Sequence, residues 1–597
     1  MKTKRIFTWP VLPLLVVVLA SCSEPGSPGA AKTYFHSMDG APASLDPGQA
    51  VSIYANFLAV NLYDTLYRYK YLARPYELTP NLASGMPEVS DNGLTVTIHL
   101  KQGVHFIDDP AFTDAKGREV TADDFVYSIL RHFDPASRAQ GAWLWTGRIV
   151  GLDAWKQAGA HYDLPPAGLQ ALDAHTVRIR LIHPFPQLLH TLAQGYAAVV
   201  PREAVQAYGL ELGSHPVGSG PFMLRSFDSA RAVLVRNPGF RKEAFNLAAE
   251  GFDPDRQGGL GLERLQGRSP PFVDRIVIEF IAEDAARWSA FISGETQFTK
   301  VPAIQFDRVL ASRNPPRLVP DLASRYHFEA APESGFIYTN FNMADERIGY
   351  NPDPARAHRN HALRCAIVKG FDWQARNNRF FYGIGQVFPG ILPPSVPEFD
   401  SLADRDYVRY DPDGARRLLS EAGWNADNLP VLQYGFPSSV TERQMFEQFR
   451  SFMIDIGYPE DKVQALTFAT YGDYARAYSQ RKVMLITSSW TMDYPDAENL
   501  VQLYYGPNAA PGSNSSNFDD PRFNQLYETA AGLPESPQRT ELFRAMNQRV
   551  IDQCAAIAGL SRTLLFLWSR SAIMQPDRSF VGGYYLRFVD TVDTAGE

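Results

Sequence analysis

A single carboxylate between two aromatic residues is the feature of this sequence that most strongly suggests chemistry. Asp493 lies between Trp490 and Tyr494 in the stretch SSWTMDYPDAENL, residues 488–500. Aromatic neighbours lower the local dielectric constant, so a lone anion there is unfavourable unless a cation pairs with it. One of the chain's own 57 lysines and arginines could supply that cation, or the aspartate could simply start a loop. A bound solute could also supply it, and the residues alone leave these alternatives open.

Sequence motifs for other kinds of chemistry are mostly missing. The chain has no His-Glu-x-x-His, no Gly-x-Ser-x-Gly, no phosphate-binding Gly-Lys-Ser/Thr loop and no Cys-x-x-Cys. His183 and His190 could ligate a metal, but no third ligand is nearby, so we predict neither a metal site nor a cofactor. Gly218-Ser219-Gly220 could cradle an anion, although the proline that follows favours a tight turn.

Composition and cysteine content limit the remaining possibilities. The net charge is −8 and no basic block occurs, which argues against nucleic acid as a partner. A chain of 597 residues predicts two or three domains. Cys365 and Cys554 could form a disulfide in an oxidising compartment. Because they are far apart in the sequence, two separate buried small hydrophobic residues is the simpler interpretation.

The N-terminus has the pattern of a secretory signal. Met1–Arg5 is basic, and Ile6–Ala20 is an apolar run broken by prolines and too short for a comfortable membrane span. Leu19-Ala20-Ser21-Cys22 resembles a bacterial lipobox, which predicts lipidation of Cys22; the alternative is an ordinary signal with a chance cysteine. Residues 23–32 form a Pro/Gly/Ser tether. No second run of about 20 apolar residues occurs, so only the lipid is expected to enter a membrane.

Mixed helix and strand patterns follow along the rest of the chain. Leu94–Leu100 alternates apolar and polar residues and predicts a half-buried strand. A helix is predicted to begin after Thr121, and another at Asp411-Pro412, where the cap and the first-turn proline are in their preferred places. Lys482–Thr487 predicts a short strand leading to Trp490. The class is therefore α/β or α+β with several lobes.

Ordered motifs along nearly the whole mature chain resemble one family. The matching segments are Asn61–Tyr69 (NLYDTLYRY), Leu78–Asp108, Thr121–Ser128 (TADDFVYS), His215–Met223 (HPVGSGPFM), Asn360–Asp372 (NHALRCAIVKGFD) and the stretch around Asp493. By these segments the chain is similar to the extracytoplasmic solute-binding proteins of the peptide/nickel/opine type, family 5. It departs from the family pattern at Met86, His215, Thr487 and Ala497.

This resemblance implies an α/β, two-lobed periplasmic-binding-protein type II fold with an extra subdomain inserted in lobe 1. The implied divisions are a signal peptide (1–22), a tether (23–32), lobe 1 (33–60, 215–325 and 562–597), the inserted subdomain (61–214) and lobe 2 (326–561). The resemblance also implies that a ligand is enclosed between the lobes.

The function implied by the resemblance is transport rather than catalysis. The chain would be a monomeric, lipid-anchored receptor in the periplasm or outside the membrane. It would capture oligopeptides and deliver them to an ABC permease and its ATPase. Asp493 would receive the α-amino group of the peptide, with Trp490 and Tyr494 as pocket neighbours. The alternatives are the same receptor tuned to a metal chelate, haem, an opine or an oligosaccharide, an envelope hydrolase, or a scaffold that has lost its ligand.

Overall fold

The structure is a computed structural model that describes residues 31–49, 52–401, 403, 405–576 and 582–592. The predicted signal peptide, Cys22 and most of the tether lie outside the described residues, and those predictions stay predictions. Within the described ranges, no helix is long and apolar enough to cross a membrane. Helices and strands alternate along the whole described chain, which confirms the predicted mixed α/β class.

The strands are β1 Thr33–Met38, β2 Tyr67–Tyr69, β3 Leu78–Pro80, β4 Glu88–Ser90, β5 Thr95–His99, β6 Leu169–Asp173, β7 Thr176–Arg180, β8 Phe222–Phe227, β9 Arg231–Arg236, β10 Arg275–Phe280, β11 Phe298–Lys300, β12 Leu310–Arg313, β13 Pro316–Leu318, β14 Tyr326–Pro332, β15 Gly335–Phe341, β16 Gln386–Val387, β17 Leu432–Pro437, β18 Val463–Phe468, β19 Leu485–Thr491, β20 Ala556–Ser561, β21 Thr563–Ser569, β22 Ala572–Ile573 and β23 Asp590–Thr591.

The α-helices are α1 Ile53–Leu62, α2 Ala122–Leu130, α3 Leu152–Gln157, α4 Leu188–Thr191, α5 Arg202–Tyr208, α6 Pro254–Gln257, α7 Asp284–Ile292, α8 Phe306–Val309, α9 Pro320–Arg325, α10 Pro354–Lys369, α11 Trp373–Phe380, α12 Pro412–Glu421, α13 Val440–Asp455, α14 Tyr471–Ser479, α15 Glu498–Val501, α16 Pro521–Ala531 and α17 Pro537–Asp552.

Local sequence signals explain several of these elements. In β5, Val96 and Ile98 are buried while His99 is exposed, as the alternation predicts. At the start of α2, the backbone N–H of Thr121 donates to Asp124 Oδ2 (2.9 Å), which forms half of a capping box. The Asp411 side chain accepts from the backbone N–H of Gly414 (2.8 Å) at the start of α12. β19 begins three residues later than predicted and includes Trp490.

Three larger sheets organise the molecule. A six-stranded sheet has the order β16-β20-β15-β19-β17-β18, a four-stranded sheet has the order β1-β10-β9-β8, and a second four-stranded sheet, fully antiparallel, has the order β4-β5-β7-β6. Each of these sheets contributes to its own large hydrophobic cluster of buried side chains. We call the part built on the six-stranded sheet, residues 335–561, the second lobe, and the rest of the described chain the first lobe. The predicted domain boundaries stay a prediction.

The chain crosses between these lobes at two adjacent points. β14 pairs with β21 in the first lobe, while the strands that continue from them, β15 and β20, pair with each other in the second lobe. At the junction, the Glu333 N–H donates to the Arg562 carbonyl (2.7 Å), and Arg562 Nε pairs with Glu333 Oε2 (2.6 Å). Ser561 Oγ donates to the Glu333 carbonyl (2.9 Å). The two crossings therefore form one compact double connection.

A disulfide between Cys365 and Cys554 corrects the interpretation of these residues as separate small hydrophobes. Cys365 lies on α10 and Cys554 in the turn between α17 and β20, and their Cα atoms are 5.1 Å apart. That separation is within the range that a disulfide bridges. Because α10 packs against β20, the fold brings together two residues that are 189 positions apart. Distance along the sequence was therefore the wrong criterion.

Candidate functional site

The loop after β19 places Asp493 in the wall of a cavity between the lobes. β19 pairs with β15, with Phe336 opposite Trp490, and it ends at Thr491. The following turn is held by Asn499, the second residue of α15. Asn499 Oδ1 accepts from the Asp493 backbone N–H (3.0 Å) and from Trp490 Nε1 (2.9 Å), and Asn499 Nδ2 donates to Asp493 Oδ2 (3.2 Å). Asn499 thus fixes both the backbone and the carboxylate of Asp493.

Asp493 has no ion-pair partner among the residues that the structure describes. Its side chain is largely enclosed, and desolvation raises the pKa of the Asp493 carboxyl. The Asn499 hydrogen bond lowers that pKa, and the negative charge of Glu498 raises it. A desolvated carboxylate whose one side-chain donor is an amide lacks the counter-charge that would offset its desolvation. The structural ion pair considered as an alternative is therefore not formed within the described chain.

The two neighbouring carboxylates, Asp496 and Glu498, each have a full set of hydrogen-bond donors. Asp496 is buried and accepts from Arg539 Nη2 through both oxygens, each at 2.9 Å. Glu498 is buried and accepts from the hydroxyls of Tyr494 (2.7 Å) and Tyr527. In the described part of the chain, Asp496 therefore has a cation and Glu498 has two hydroxyl donors, whereas Asp493 has neither.

The cavity that Asp493 lines has a volume of about 490 Å³, and both lobes contribute to it. This volume is within the range of small-molecule binding sites. The second lobe contributes Thr491, Met492 and Asp493, and the double connection contributes Pro332, Glu333 and Ser334. The first lobe supplies the rest of the wall from β1, α1, α7, β11, β21, the segments around Trp143 and Gln194, and the segment that includes Tyr585.

Most charged groups around the cavity have a protein partner. Glu333 pairs with Arg562 across the double connection, and Arg287 pairs with Asp284 and donates to the Ala282 carbonyl (2.7 Å). Lys300 is exposed, and it has no ion-pair partner in the described ranges. Asp39, a second carboxylate of the lining, is exposed like Lys300. Asp493 is therefore the half-buried charge of this cavity that lacks an ion-pair partner in the described ranges.

Trp490 and Tyr494 lie beside Asp493 but are not among the residues that line this cavity. Trp490 packs against the core of the second lobe, with its indole N–H on Asn499. Tyr494 is buried, donates to Glu498, and stacks on His190 with ring centroids 6.1 Å apart. The N–H of Trp490 and the O–H of Tyr494 are therefore donated within the second lobe, to Asn499 and Glu498.

The loop carrying Asp493 also contacts the first lobe directly. Gln194 Nε2 donates to the Asp493 carbonyl oxygen (2.9 Å), and Gln187 Nε2 donates to Asp496 Oδ2 (3.2 Å). We call this set of contacts, between residues 187–194 and 493–496, the interlobe clasp. It joins the two lobes through the backbone of Asp493 and the side chain of Asp496.

The other sequence candidates have structural positions. His183 is exposed, whereas His190 is buried and its Nδ1 lies 3.0 Å from the Tyr69 hydroxyl; burial lowers the pKa of His190 to about 4. The group of three potential metal ligands found in the described chain is instead His361 with Cys365 and Cys554, and its cysteines are joined in the disulfide. Gly218 and Gly220 pack too closely on the Leu62 backbone for any larger residue, and the interpretation of this segment as a turn stays a prediction.

Sequence reasoning missed Asn499 and the whole first-lobe wall. Asn499 carries no motif of its own, and its role depends on three hydrogen bonds formed only when α15 folds back on β19. The first-lobe residues come from separate parts of the chain, so spacing could not group them.

Comparisons with known proteins agree with this architecture. The chain is 24% identical to the dipeptide-binding protein of Escherichia coli (strain K12), over 93% of this chain and 92% of that one. It is also 24% identical to heme-binding protein A of Haemophilus influenzae, over 91% of each chain. The structure of HbpA2 from Haemophilus parasuis superposes with a TM-score of 0.73 at 18% identity, covering 94% of this chain and 100% of that one, which shows a shared fold.

These likenesses confirm the predicted two-lobed α/β fold class, and the relatives are solute-binding proteins rather than enzymes. Residues 77–512 match the model for bacterial extracellular solute-binding proteins, family 5 Middle. Because this match covers more than half of the chain, the protein belongs to the family 5 bacterial extracellular solute-binding proteins.

Proposed function

We propose that this protein is the receptor of an ABC importer and captures peptides in the interlobe cavity, with Asp493 receiving the peptide's amino group. The observation that carries the proposal is the unpaired, largely enclosed Asp493 carboxylate, next to Asp496 and Glu498, which have partners. An ammonium group from a ligand would supply the missing cation. In a water-poor cleft, such a charge-assisted hydrogen bond is roughly twice as strong as a neutral one.

Trp490 and Tyr494 take part in this proposal through their positions beside Asp493. Trp490 shares the acceptor Asn499 Oδ1 with the Asp493 backbone, so it helps to hold the carboxylate in place. Tyr494 stacks on His190 of the first lobe and so joins the clasp. Because neither ring lines the cavity, both residues act on the ligand through the position of the Asp493 loop.

The lining of the cavity favours peptides over the other solutes considered. A site for oligosaccharides is expected to offer aromatic faces without an uncompensated carboxylate, but Asp493 is present. A site for a metal chelate is expected to bring several histidines together, whereas His36 is the single histidine among the lining residues that the structure describes. Haem remains a necessary comparison because one relative is named a heme-binding protein.

The finer points of the proposal concern anchoring and partners. We propose that Cys22 carries a lipid that holds a monomeric receptor at the cell envelope, and that a separate permease with its ATPase takes over the ligand. We also propose the domain organisation given under Sequence analysis, with lobe 2 beginning at β15 instead of residue 326, because β14 pairs with β21 of the first lobe. Mass spectrometry of the mature N-terminus and membrane fractionation of a Cys22→Ser variant test the anchor: the variant should move to the soluble fraction, and continued membrane attachment would contradict it.

Isothermal titration calorimetry on protein stripped of co-purifying solutes tests the peptide assignment. We expect unmodified di- and tripeptides to bind, and their N-acetylated forms to bind at least about 30-fold more weakly, because acetylation removes the ammonium group that pairs with Asp493. Haem and an oligosaccharide serve as comparison ligands. Equal affinity for free and acetylated peptides, or tight binding of haem or sugar with no peptide binding, would refute the proposal.

A further inference from the structure

A row of four stacked aromatic rings forms one wall of the cavity. The ring centroids of Phe57 and His36 are 5.1 Å apart with an interplanar angle of 12°, and those of His36 and Phe298 are 5.1 Å apart at 26°. Phe298 and Phe566 continue the row at 5.7 Å and 21°. All four residues line the cavity. Because α1, β1, β11 and β21 each supply one ring, the packing of the first lobe fixes the row in place.

The imidazole in this row carries no charge at physiological pH. His36 is buried, and desolvation lowers the pKa of its ring to about 3. Its Nδ1 lies 3.4 Å from the Tyr34 hydroxyl, and Nε2 has no hydrogen-bond partner among the residues described. A neutral ring does not repel the ammonium group of a ligand. Because Phe57 and Phe298 stack on its two faces, His36 contributes the edge of its ring to the cavity. The whole row therefore acts as an uncharged aromatic surface.

Two exposed apolar side chains extend this surface. Ile53, at the start of α1, is 74% exposed, and Trp143 is 51% exposed; both line the same cavity. Single exposed hydrophobic residues are common on protein surfaces and need no explanation. Here, however, both line the same cavity as the aromatic row and Asp493, and a largely apolar lining with a few placed polar groups is typical of a ligand site.

We propose that the cavity selects solutes that combine a free amino group with an aromatic or bulky apolar side chain, and that this side chain packs against the row Phe57–His36–Phe298–Phe566 and under Trp143 and Ile53. This inference rests on the proposed function, because it takes Asp493 as the partner of the amino group. It adds a specificity: the carboxylate fixes one end of the ligand, and the aromatic wall chooses which side chains bind tightly. Burial of a large apolar side chain in such a pocket favours it about tenfold or more over a small polar one.

Calorimetry with matched peptides tests the specificity. The peptides are Phe-Ala, Ala-Phe and Ser-Ala, each with a free amino terminus, together with N-acetyl-Phe-Ala, titrated into stripped full-length protein. We expect at least one phenylalanine peptide to bind about tenfold or more tightly than Ser-Ala. Acetylation should weaken Phe-Ala binding whether or not the aromatic preference exists, so the two proposals are tested separately.

Matched variants locate the preference in the cavity. Ile53→Ser and Trp143→Ala change exposed residues, so folding should be little affected, and we expect both to reduce the preference for the phenylalanine peptide several-fold. Ile304→Ser is the control, because Ile304 is 78% exposed and is not among the lining residues. We expect it to leave the preference unchanged.

The possible outcomes separate the two proposals. Equal affinities for Ser-Ala and both phenylalanine peptides, with binding still lost on acetylation, would refute the aromatic selectivity and leave the proposed function intact. Binding that does not depend on the amino group would refute the proposed function. An equal loss of preference in Ile304→Ser and Ile53→Ser would also refute the placement of the side chain on this wall.

Discussion

Replacing Asp493 by asparagine separates ligand binding from stability, because the structure predicts opposite effects on the two. The asparagine keeps the shape of the side chain and can still accept from Asn499 Nδ2 through its amide oxygen. It loses the charge that the ligand's ammonium group would meet. Removing one partner of a desolvated ion pair costs about 2 kcal/mol or more, so peptide affinity should fall about 30-fold or more.

The ligand-free variant should be at least as stable as the wild type. Burial raises the pKa of the Asp493 carboxyl, so the folded protein holds this proton to a higher pH than the unfolded chain does. The ligand-free protein therefore loses stability as the pH rises through the window between the ordinary and the raised pKa, and the loss persists at neutral pH. Asparagine does not titrate, so Asp493→Asn removes that loss.

Asp496→Asn is the matched control, three positions away. Asp496 is buried against Arg539, so this variant leaves an unpaired buried guanidinium and should destabilise the second lobe by about 3–5 kcal/mol. Calorimetry with a free-amine peptide measures affinity, and urea unfolding measures stability in the same buffer without ligand. Unchanged peptide affinity in Asp493→Asn, or a clear drop in its urea midpoint, would refute the reasoning.

Three further predictions concern other parts of the molecule. Replacing both Cys365 and Cys554 by serine should lower the free energy of unfolding by about 2–4 kcal/mol in guanidinium titrations and leave peptide affinity unchanged; an unchanged midpoint would contradict this. Gln194→Ala removes the hydrogen bond to the Asp493 carbonyl and should weaken peptide binding by about 1 kcal/mol, mainly through faster dissociation in stopped-flow experiments, whereas unaltered dissociation would exclude a role for the clasp. As the pH falls through the raised pKa of ligand-free Asp493, protonation of its carboxyl should weaken peptide binding in calorimetry, and Asp493→Asn should flatten this dependence; a wild-type affinity that rises on acidification would be inconsistent with the sign.

Local patterns in the sequence were sufficient for individual elements. Alternation at residues 94–100 predicts β5, and the cap at Asp411 with Pro412 predicts the start of α12, because both signals act between residues close in the chain. The end of the strand leading to Trp490 was placed too early. β19 continues because it pairs with β15, and this pairing joins residues about 150 positions apart.

The site could be predicted only at its most local point. Asp493 was identified from its aromatic neighbours and from the family resemblance. Trp490 and Tyr494 make their hydrogen bonds to Asn499 and Glu498 only because α15 folds back on β19. The role of Asn499 depends on the same fold. The row containing His36 combines four elements that come from distant parts of the sequence. No spacing rule brings such residues together, just as none indicated the Cys365–Cys554 pair.

The double connection at Glu333 and Arg562 has a mechanical consequence for the proposed receptor. Both crossings lie side by side, so the lobes share one narrow joint, while the clasp at Gln194 and Asp493 lies across the ligand cavity. A membrane complex that separates the lobes would remove one wall of the cavity from the bound ligand. The same movement would take the Asp493 carboxylate away from the ligand's ammonium group. The membrane complex would then need no pocket of its own for each cargo, and selectivity would reside in the receptor.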